Sequence, residues 1–271
     1  MERTTITDVP ATRNGSRRGL RRVPIAMPPG DRIEQDVEWC VARVDGQWQE
    51  VRFHDYGKIY GVPGLYERIF YDVLRCASPE TVCGLLGKEL ESEDVDGSEL
   101  RVLDLGAGNG IMAEELLAMG AEHVVGVDIL HEAAAAAERD RPGVYADYLV
   151  ADLCDIDPRD QGVLEDAELN CLTCVAALGF GDIPPKAFRT AFDAIADDGW
   201  AAFNIKTDFL DGADGSGFSR LIARMIEEGI LDVRVQTRYR HRDASNGDPI
   251  DYVAIIGRKI RSIGDSLPGA D

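Results

Sequence analysis

The segment that most constrains the fold is a short apolar run followed by three closely spaced glycines. Residues 101–105 read Arg-Val-Leu-Asp-Leu, which predicts a buried strand, and Gly106, Gly108 and Gly110 follow it directly. From Ile111 onward the apolar residues have helical spacing. A strand, a glycine turn and a helix in this order let a ligand approach the bare backbone, because glycine has no side chain to block it.

A second acid lies where a nucleoside-like ligand needs it. The next predicted strand, residues 123–127, is followed by Asp128, and a carboxylate at the end of the second strand can accept hydrogen bonds from both ribose hydroxyls. The glycine spacing does not fit a dinucleotide, because Ile111 stands where the third glycine of that fingerprint belongs. Asp104, just before the glycines, would repel a pyrophosphate and attract an amino group.

Residues 104–110, Asp-Leu-Gly-Ala-Gly-Asn-Gly, resemble the first motif of the class I S-adenosylmethionine-dependent methyltransferases. The resemblance implies that S-adenosylmethionine is the cofactor and that its methionine part lies against the glycine turn. It also implies that Asp128 binds the ribose, that Ile129 packs against the adenine, and that Asp152 accepts the adenine amino group. The cofactor-binding residues implied in this way are Asp104, Gly106, Ala107, Gly108, Asn109, Gly110, Asp128, Ile129, Asp152, Leu153 and Val175.

From residue 100 onward, strand-like and helical segments alternate along the chain. The continuous apolar run at residues 169–177 is typical of a central strand buried on both faces. Alternation predicts a doubly wound, mostly parallel sheet, to which the late segments 231–239 and 250–258 would add an antiparallel strand. This ending is similar to the seven-stranded sheet of class I methyltransferases. We therefore expect an α/β, Rossmann-like fold that binds ligands at the carboxyl ends of its strands.

Four parts of the chain differ in composition and pattern. Residues 1–30 hold six arginines against two acids and show no apolar period, which predicts a disordered arm. Residues 31–95 are predicted to form an N-terminal cap, in which two alternating runs around Asp45-Gly46 indicate a β-hairpin and two helical stretches follow. The catalytic domain is expected over residues 96–260, and residues 261–271 form a tail.

The composition limits the partners of the chain. A net charge of −20 disfavours broad binding to nucleic acid, because phosphates would be repelled over much of the surface. The chain has no apolar run of membrane-spanning length, no secretory signal, and no cysteine spacing typical of disulfides or of a zinc site. We therefore expect a cytoplasmic protein that binds neither a membrane nor a metal. The sequence does not indicate an oligomeric state.

The sequence identifies the cofactor more clearly than the methyl acceptor, because a sulfonium methyl group is already activated and positioning supplies much of the acceleration. Enzymes that methylate exocyclic amino groups of bases carry Asn/Asp-Pro-Pro-aromatic after the fourth strand, where this chain has residues 176–179, Ala-Ala-Leu-Gly. A cysteine relay is disfavoured because Cys171 and Cys174 are predicted to be buried. We predict a small-molecule acceptor. The alternatives are an RNA or protein acceptor guided by the basic arm, and a non-catalytic, cofactor-binding regulatory protein.

Candidates for the acceptor side lie in the cap and in the late loops. Residues 54–61 are dense in polar and aromatic groups, and we expect this segment to close over the cofactor. A general base is needed only where the acceptor must lose a proton. The candidate catalytic residues are His54, Tyr60, Asn204, Lys206 and His241.

Overall fold

The structure is a computed structural model that describes residues 23–28, 34–179, 181–210 and 217–264. The chain divides into two compact units. The first unit contains the residues up to Ala77 together with Arg240–Ile250, and the second contains Ser78–Tyr239 and the residues from Asp251 onward. Most of the predicted arm, at residues 1–22 and 29–30, lies outside the described residues, as does the end of the predicted tail, at residues 265–271.

The first unit contains a three-stranded antiparallel sheet in the order β1-β2-β3, followed by short helical segments. Asp45 and Gly46 both have positive φ, at 50° and 80°, which a two-residue type I′ hairpin turn requires, so the predicted hairpin is present. The elements are β1 (Ile25–Ala26), β2 (Trp39–Val44), β3 (Gln47–Arg52), α1 (Tyr56–Gly61), α2 (Leu65–Glu67) and a π-helical turn (Arg68–Val73).

The strand β1 corrects the predicted extent of the arm. Ile25 and Ala26 were expected to belong to a disordered segment, yet they pair with Ala42 and Val41 of β2. Ile25 is only 1% exposed and belongs to the apolar core of this unit. Burial against β2 orders this segment, and a two-residue strand has no periodicity that a sequence pattern could reveal.

The second unit is built on a seven-stranded sheet in the order β6-β5-β4-β7-β8-β10-β9. Neighbouring strands from β6 to β8 run parallel, and β10 runs antiparallel to β8, which confirms the predicted α/β fold. The strands are β4 (Arg101–Leu105), β5 (His123–Asp128), β6 (Asp147–Val150), β7 (Cys171–Leu178), β8 (Trp200–Lys206), β9 (Leu231–Asp243) and β10 (Pro249–Lys259). The helices are α3 (Ser78–Ser92), α4 (Ile111–Ala118), α5 (His131–Asp140), α6 (Pro158–Asp166), α7 (Pro185–Ala194) and α8 (Phe218–Glu227).

Helix α3 belongs to the second unit, so the predicted cap ends at Ala77 and not at residue 95. Its apolar side chains Val82, Leu86 and Leu90 are buried in one cluster with Val102 of β4 and other residues of the sheet unit. Residues 91–99 are rich in acids, which suggests a linker by composition, but residues 91 and 92 belong to α3, and the packing of this helix assigns it to the second unit. None of the helices in the described ranges has the length and apolar character needed to cross a membrane.

A buried lysine completes the end of α7. Lys259 is 1% exposed, and its Nζ donates to the carbonyl oxygens of Asp193, at 3.2 Å, and Ile195. The last carbonyls of a helix have no partner within the helix, so this ammonium satisfies groups that would otherwise be buried without hydrogen bonds. The Lys259 Nζ also lies 5.6 Å from the centroid of the Phe192 ring, and burial lowers the pKa of the lysine.

Lys259→Met is therefore expected to destabilise the protein. Loss of the ammonium leaves the two carbonyls without a donor, which costs about 1–3 kcal/mol in the free energy of unfolding. Chemical denaturation measures this difference. The control is Lys88→Met, on an exposed position of α3, which should change the free energy of unfolding by less than about 0.5 kcal/mol. Equal stability of both variants would contradict the capping role.

Candidate functional site

The glycine turn lies at the carboxyl edge of the sheet, where the order of the strands reverses between β4 and β7. Backbone amides of the turn are tied to the end of β5. The amides of Gly106 and Ala107 donate to the carbonyl oxygen of Val127 at 2.9 and 3.1 Å, and the amide of Gly108 donates to Oδ2 of Asp128 at 3.0 Å. Ligands of open α/β sheets bind at this kind of edge.

The backbone of the turn explains its glycines. Gly106, Gly108 and Gly110 have φ values of 72°, 53° and 86°, in the left-handed region that favours glycine. A Cβ atom added to Gly106 would lie 2.8 Å from Cβ of Ala177 and 3.1 Å from Cδ1 of Ile183. The glycine at position 106 is therefore required by packing inside the protein, in addition to any ligand it admits.

Asp104, in β4 just before the turn, has a buried and hydrogen-bonded carboxylate. It is 1% exposed, and its Oδ1 and Oδ2 accept hydrogen bonds at 2.8 Å from the hydroxyls of Thr173 and Tyr145. Burial raises the pKa of this carboxyl to about 6, although the two hydrogen bonds act in the opposite direction, and the charge of Asp128 adds to the rise. Direct contact of Asp104 with the methionine end of a cofactor stays a prediction.

Three side chains that the sequence analysis did not identify contact the carbonyl groups of the turn, and two of them, Tyr148 and Arg141, donate hydrogen bonds to those groups. Tyr145 and Tyr148 lie on or just before β6, and Arg141 follows α5. Tyr-x-x-Tyr leading into β6 was the available signal, but the pattern alone does not say which atoms the hydroxyls reach. The Tyr145 hydroxyl lies 3.1 Å from O of Ala107, the Tyr148 hydroxyl donates to O of Gly108 at 2.8 Å, and Arg141 Nη1 donates to O of Asn109 at 3.2 Å.

Asp128 has the geometry of a bidentate acceptor. Its Oδ2 accepts from the amide of Gly108 and its Oδ1 accepts from the amide of Leu130, each at 3.0 Å, and the amide of Ile129 is a third backbone donor to this carboxylate. Burial raises the pKa of this carboxyl, and the backbone hydrogen bonds oppose the rise. The next residue, Ile129, is 60% exposed, more than any other large apolar side chain among the described residues.

The remaining predicted cofactor residues follow β6 or lie near the end of β7. Asp152 is exposed, and its Oδ1 accepts from the amide of Cys154 at 2.8 Å. Leu153 is buried in the core, so only its backbone could meet a ligand, and Val175 is half-buried. Asp104, Asp128 and Asp152 therefore lie in or just after three neighbouring strands, as the sequence predicts. Their roles toward a cofactor stay predictions.

Three of the candidates for the acceptor side belong to the first unit. His54 is half-buried, with its ring edge-on to Tyr56 at 5.8 Å, and Tyr60 packs on Tyr66 with ring centroids 5.0 Å apart. His241 is 5% exposed, with Nδ1 at 3.8 Å from Sγ of Cys76. Burial holds the pKa of His241 well below its usual value, so its imidazole is neutral at physiological pH. Closure of residues 54–61 over a cofactor stays a prediction.

The other two candidates lie on β8 in the second unit. Asn204 is fully buried, and its amide is hydrogen-bonded at both ends, to the backbone of β7 and to the hydroxyls of Ser78 and Tyr239. Its side chain therefore supports the structure and does not face an acceptor. Lys206, at the end of β8, forms an ion pair with Asp208 at 2.8 Å.

The two cysteines of β7 are not suited to a relay. Cys171 and Cys174 are both fully buried, as the apolar pattern predicts. Burial raises the pKa of each thiol well above its usual value, and the charge of Asp104 adds to the effect. A thiol that stays protonated is a poor nucleophile.

Comparison with known proteins places this architecture in a family. A family model described as "Methyltransferase domain" matches residues 79–240. The ubiquinone biosynthesis O-methyltransferase of Paraburkholderia phymatum is 29% identical over 139 residues, which are 49% of this chain and 56% of that protein. The chain thus spans little more than half the length of this curated relative.

Two solved structures are similar to parts of the chain. An S-adenosylmethionine-dependent methyltransferase from Mesorhizobium loti is 17% identical, with a TM-score of 0.45 over 64% of this chain and 96% of the other. The magnesium protoporphyrin IX methyltransferase of Synechocystis, solved with bound S-adenosylmethionine, is 15% identical, with a TM-score of 0.45 over 68% of this chain and 79% of the other. The family model covers more than half of the chain. The chain therefore belongs to the methyltransferase-domain family, and its predicted resemblance to the S-adenosylmethionine-dependent methyltransferases is confirmed.

Proposed function

We propose that the protein transfers the methyl group of S-adenosylmethionine to a small-molecule acceptor. One observation carries the proposal: a glycine turn at the carboxyl edge of the sheet, half-buried at Gly106, is tied by the amide of Gly108 to Asp128, a carboxylate at the end of the neighbouring strand. This pairing suits a ligand that has a ribose next to a polar chain. Membership of the methyltransferase-domain family supports the same ligand.

The residues present fit the cofactor. Asp128 would accept from the two ribose hydroxyls, and the exposed side chain of Ile129 offers an apolar surface for the adenine ring. Asp152, exposed after the neighbouring strand, would accept from the adenine amino group. The turn would hold the methionine end against its glycines, which carry no Cβ atoms.

The chemistry needs little more than positioning. The cofactor supplies a methyl group activated by its sulfonium charge. The chain supplies a rigid turn: Tyr148 and Arg141 donate to its carbonyls, and Tyr145 and Thr173 hold Asp104 beneath it. Side chains locked by hydrogen bonds hold a bound group in a reactive orientation, which lowers the barrier of a bimolecular transfer.

A small acceptor is favoured over a nucleic acid by the charge of the chain. A net charge of −20 repels phosphates, and the relative from Paraburkholderia is named for an O-methyltransferase step in ubiquinone biosynthesis.

The cysteines of the described residues are all free thiols, which supports a cytoplasmic location for the protein. The second candidate, an RNA or protein acceptor, rests on the six arginines of residues 1–30.

Transfer of label from S-[methyl-³H]adenosylmethionine tests the proposal. The full-length protein is incubated with the labelled cofactor and a cell extract, which is then fractionated by size. Label in the small-molecule fraction supports the proposed acceptor class, and label in protein or RNA would replace it with the second candidate. Tight binding of S-adenosylhomocysteine without any transfer would favour a regulatory protein.

A first prediction concerns the ribose. Asp128→Asn should weaken S-adenosylhomocysteine by at least about tenfold, because a hydrogen bond to a charged group contributes roughly 1.5–3 kcal/mol. Titration calorimetry measures the dissociation constant, and thermal unfolding monitors the fold. The control is Glu122→Gln, an exposed acid directly before β5, at the opposite end of the same strand. Equal affinity of Asp128→Asn and wild type would remove Asp128 from the ribose site.

A second prediction concerns pH. The methionine amino group is a cation, so it favours the ionised form of Asp104, whose pKa is raised to about 6 by burial. As the pH falls through 6, Asp104 takes up a proton, and S-adenosylhomocysteine should bind more weakly by up to about tenfold per pH unit. The stability of the ligand-free protein should change in the opposite direction. Because the pKa of Asp104 is higher in the folded protein than in the unfolded chain, the free energy of unfolding should fall as the pH rises from about 4 to 6.

Asp104→Asn is the matching variant, because it is neutral at every pH. The affinity of Asp104→Asn should vary less between pH 5 and 7 than that of the wild type. Calorimetry across this range measures both proteins. An unchanged slope in Asp104→Asn would assign the titration to another group, and Asp128, whose pKa is also raised by burial, is then the next to test.

A third prediction compares two glycines with similar backbones. Gly106 and Gly143 have φ values of 72° and 78°. Alanine at either position should therefore lower the free energy of unfolding by about 1–2 kcal/mol, because it must adopt the left-handed conformation. Only at Gly106 does the added Cβ meet other atoms, since nothing lies within 4 Å at Gly143. Gly106→Ala should therefore lose more stability than Gly143→Ala and bind S-adenosylhomocysteine at least about tenfold more weakly. Gly143→Ala should bind as the wild type does. Equal losses in both variants would show that Gly106 serves only its backbone conformation.

A further inference from the structure

Strand β7 contains an irregularity at its carboxyl end. Cys174 pairs with Phe203 of β8 and Leu178 pairs with Ile205, so residues 175–177 face Asn204 alone. The middle residue, Ala176, has a φ of 59°. Residues other than glycine seldom adopt this conformation, and where they do the surrounding structure imposes it. We call residues 175–177 the β7 bulge.

Asn204 is the residue that holds the β7 bulge. Its Oδ1 accepts a hydrogen bond from the amide of Ala176 at 2.6 Å. In a bulge the amide of the extra residue is displaced from the regular strand pairing, so the side-chain carbonyl supplies the acceptor that the ladder would otherwise provide. Asn204 is fully buried, so water does not compete for this bond.

The other end of the Asn204 side chain is fixed as well. Its Nδ2 donates to Oγ of Ser78 at 3.0 Å and to the hydroxyl oxygen of Tyr239. The oxygens of Ser78 and Tyr239 lie 2.6 Å from each other, so the two hydroxyls form a closed network with the amide. A side chain bonded at both ends has one orientation, and that orientation points its oxygen at Ala176.

The β7 bulge touches the glycine turn of the candidate site. A Cβ atom on Gly106 would lie 2.8 Å from Cβ of Ala177, so no space separates the first glycine from the bulge. Residues 175–177 are half-buried, and they stand at the carboxyl end of β7, the neighbour of β4. A change in the backbone at Ala176 must therefore move Ala177, against which Gly106 packs.

We propose that Asn204 is a positioning residue, which fixes the β7 bulge through the amide of Ala176 and thereby sets the place of Ala177 against Gly106. The proposal rests on the proposed function, because the glycine turn matters here as the cofactor site. It assigns to Asn204 a role different from contact with the acceptor. The chemistry of the site stays with the cofactor and the turn, and Asn204 acts through Ala176.

Two substitutions at Asn204 separate positioning from general stability. Asn204→Leu keeps the branching at Cγ but cannot accept from the amide of Ala176. Asn204→Asp keeps an oxygen for that amide, and its second oxygen can accept from the hydroxyls of Ser78 and Tyr239. The stability control is Lys259→Met, which loses buried hydrogen bonds in a different part of the same unit. Where Asn204→Leu does not fold, Asn204→Ser takes its place, since the serine side chain is too short to reach Ala176.

Hydrogen exchange at the amide of Ala176 and titration with S-adenosylhomocysteine are the two measurements. Asn204→Leu should exchange this amide at least about tenfold faster and bind S-adenosylhomocysteine at least about tenfold more weakly, because small displacements at a preorganised site are costly. Asn204→Asp should stay within about threefold of the wild type in both, and Lys259→Met should bind as the wild type does despite its lower melting temperature.

The outcomes distinguish this proposal from the one on which it rests. Faster exchange at Ala176 with unchanged affinity in Asn204→Leu would overturn the positioning role, because the bulge would then have no influence on the turn. Equal loss of affinity in Lys259→Met would also overturn it, since the effect would follow stability alone. Failure of the wild-type protein to bind S-adenosylhomocysteine would instead refute the proposed function.

Discussion

The hydrogen bond between the amide of Gly108 and the carboxylate of Asp128 joins the two strand ends on which the candidate site depends. With a distance of 3.0 Å between the amide nitrogen and Oδ2, it fixes the turn after β4 to the end of β5. The amides of Gly106 and Ala107, both bonded to the carbonyl of Val127, extend this connection along the turn. Without these bonds, a loop with three residues of positive φ would have many conformations of similar energy.

The fold was predictable from the sequence because each element of the sheet unit carries its own local signal. The alternation of short apolar runs with helical segments predicts β4 to β8, and the apolar run of β7 identifies a strand covered on both faces. The boundary of the cap was not predictable in this way. Helix α3 follows the cap in sequence, and only the burial of Val82, Leu86 and Leu90 among residues of the sheet unit assigns it there. Strand β1 was missed for the same reason, since Ile25 is ordered by its contacts with a strand distant in sequence.

The candidate site was predictable where the function of a residue lies in its backbone or in its place at a strand end. The glycines, Asp104 and Asp128 are of this kind. The side chains that contact the carbonyls of the turn come from a distant part of the sequence. The residues around Tyr145, Tyr148 and Arg141 do not indicate which carbonyl each side chain contacts. Asn204 was identified as a candidate by its place at the end of β8, but its burial and its bond to Ala176 give it a supporting role.

The hydrogen bonds to the carbonyls of Ala107, Gly108 and Asn109 influence both the rate and the affinity with which a ligand binds. The carbonyls of Ala107, Gly108 and Asn109 already accept hydrogen bonds, from the amide of Gly110, the hydroxyl of Tyr148 and the guanidinium of Arg141. The turn therefore has little conformational entropy to lose, and binding does not have to order it first. The encounter of ligand and turn then proceeds at a rate set by diffusion and orientation, without a slow folding step of the loop. Differences in affinity among variants of this protein should accordingly arise in the lifetime of the complex, and a ligand that leaves slowly after each turnover would make product release, and not methyl transfer, the step that limits the rate.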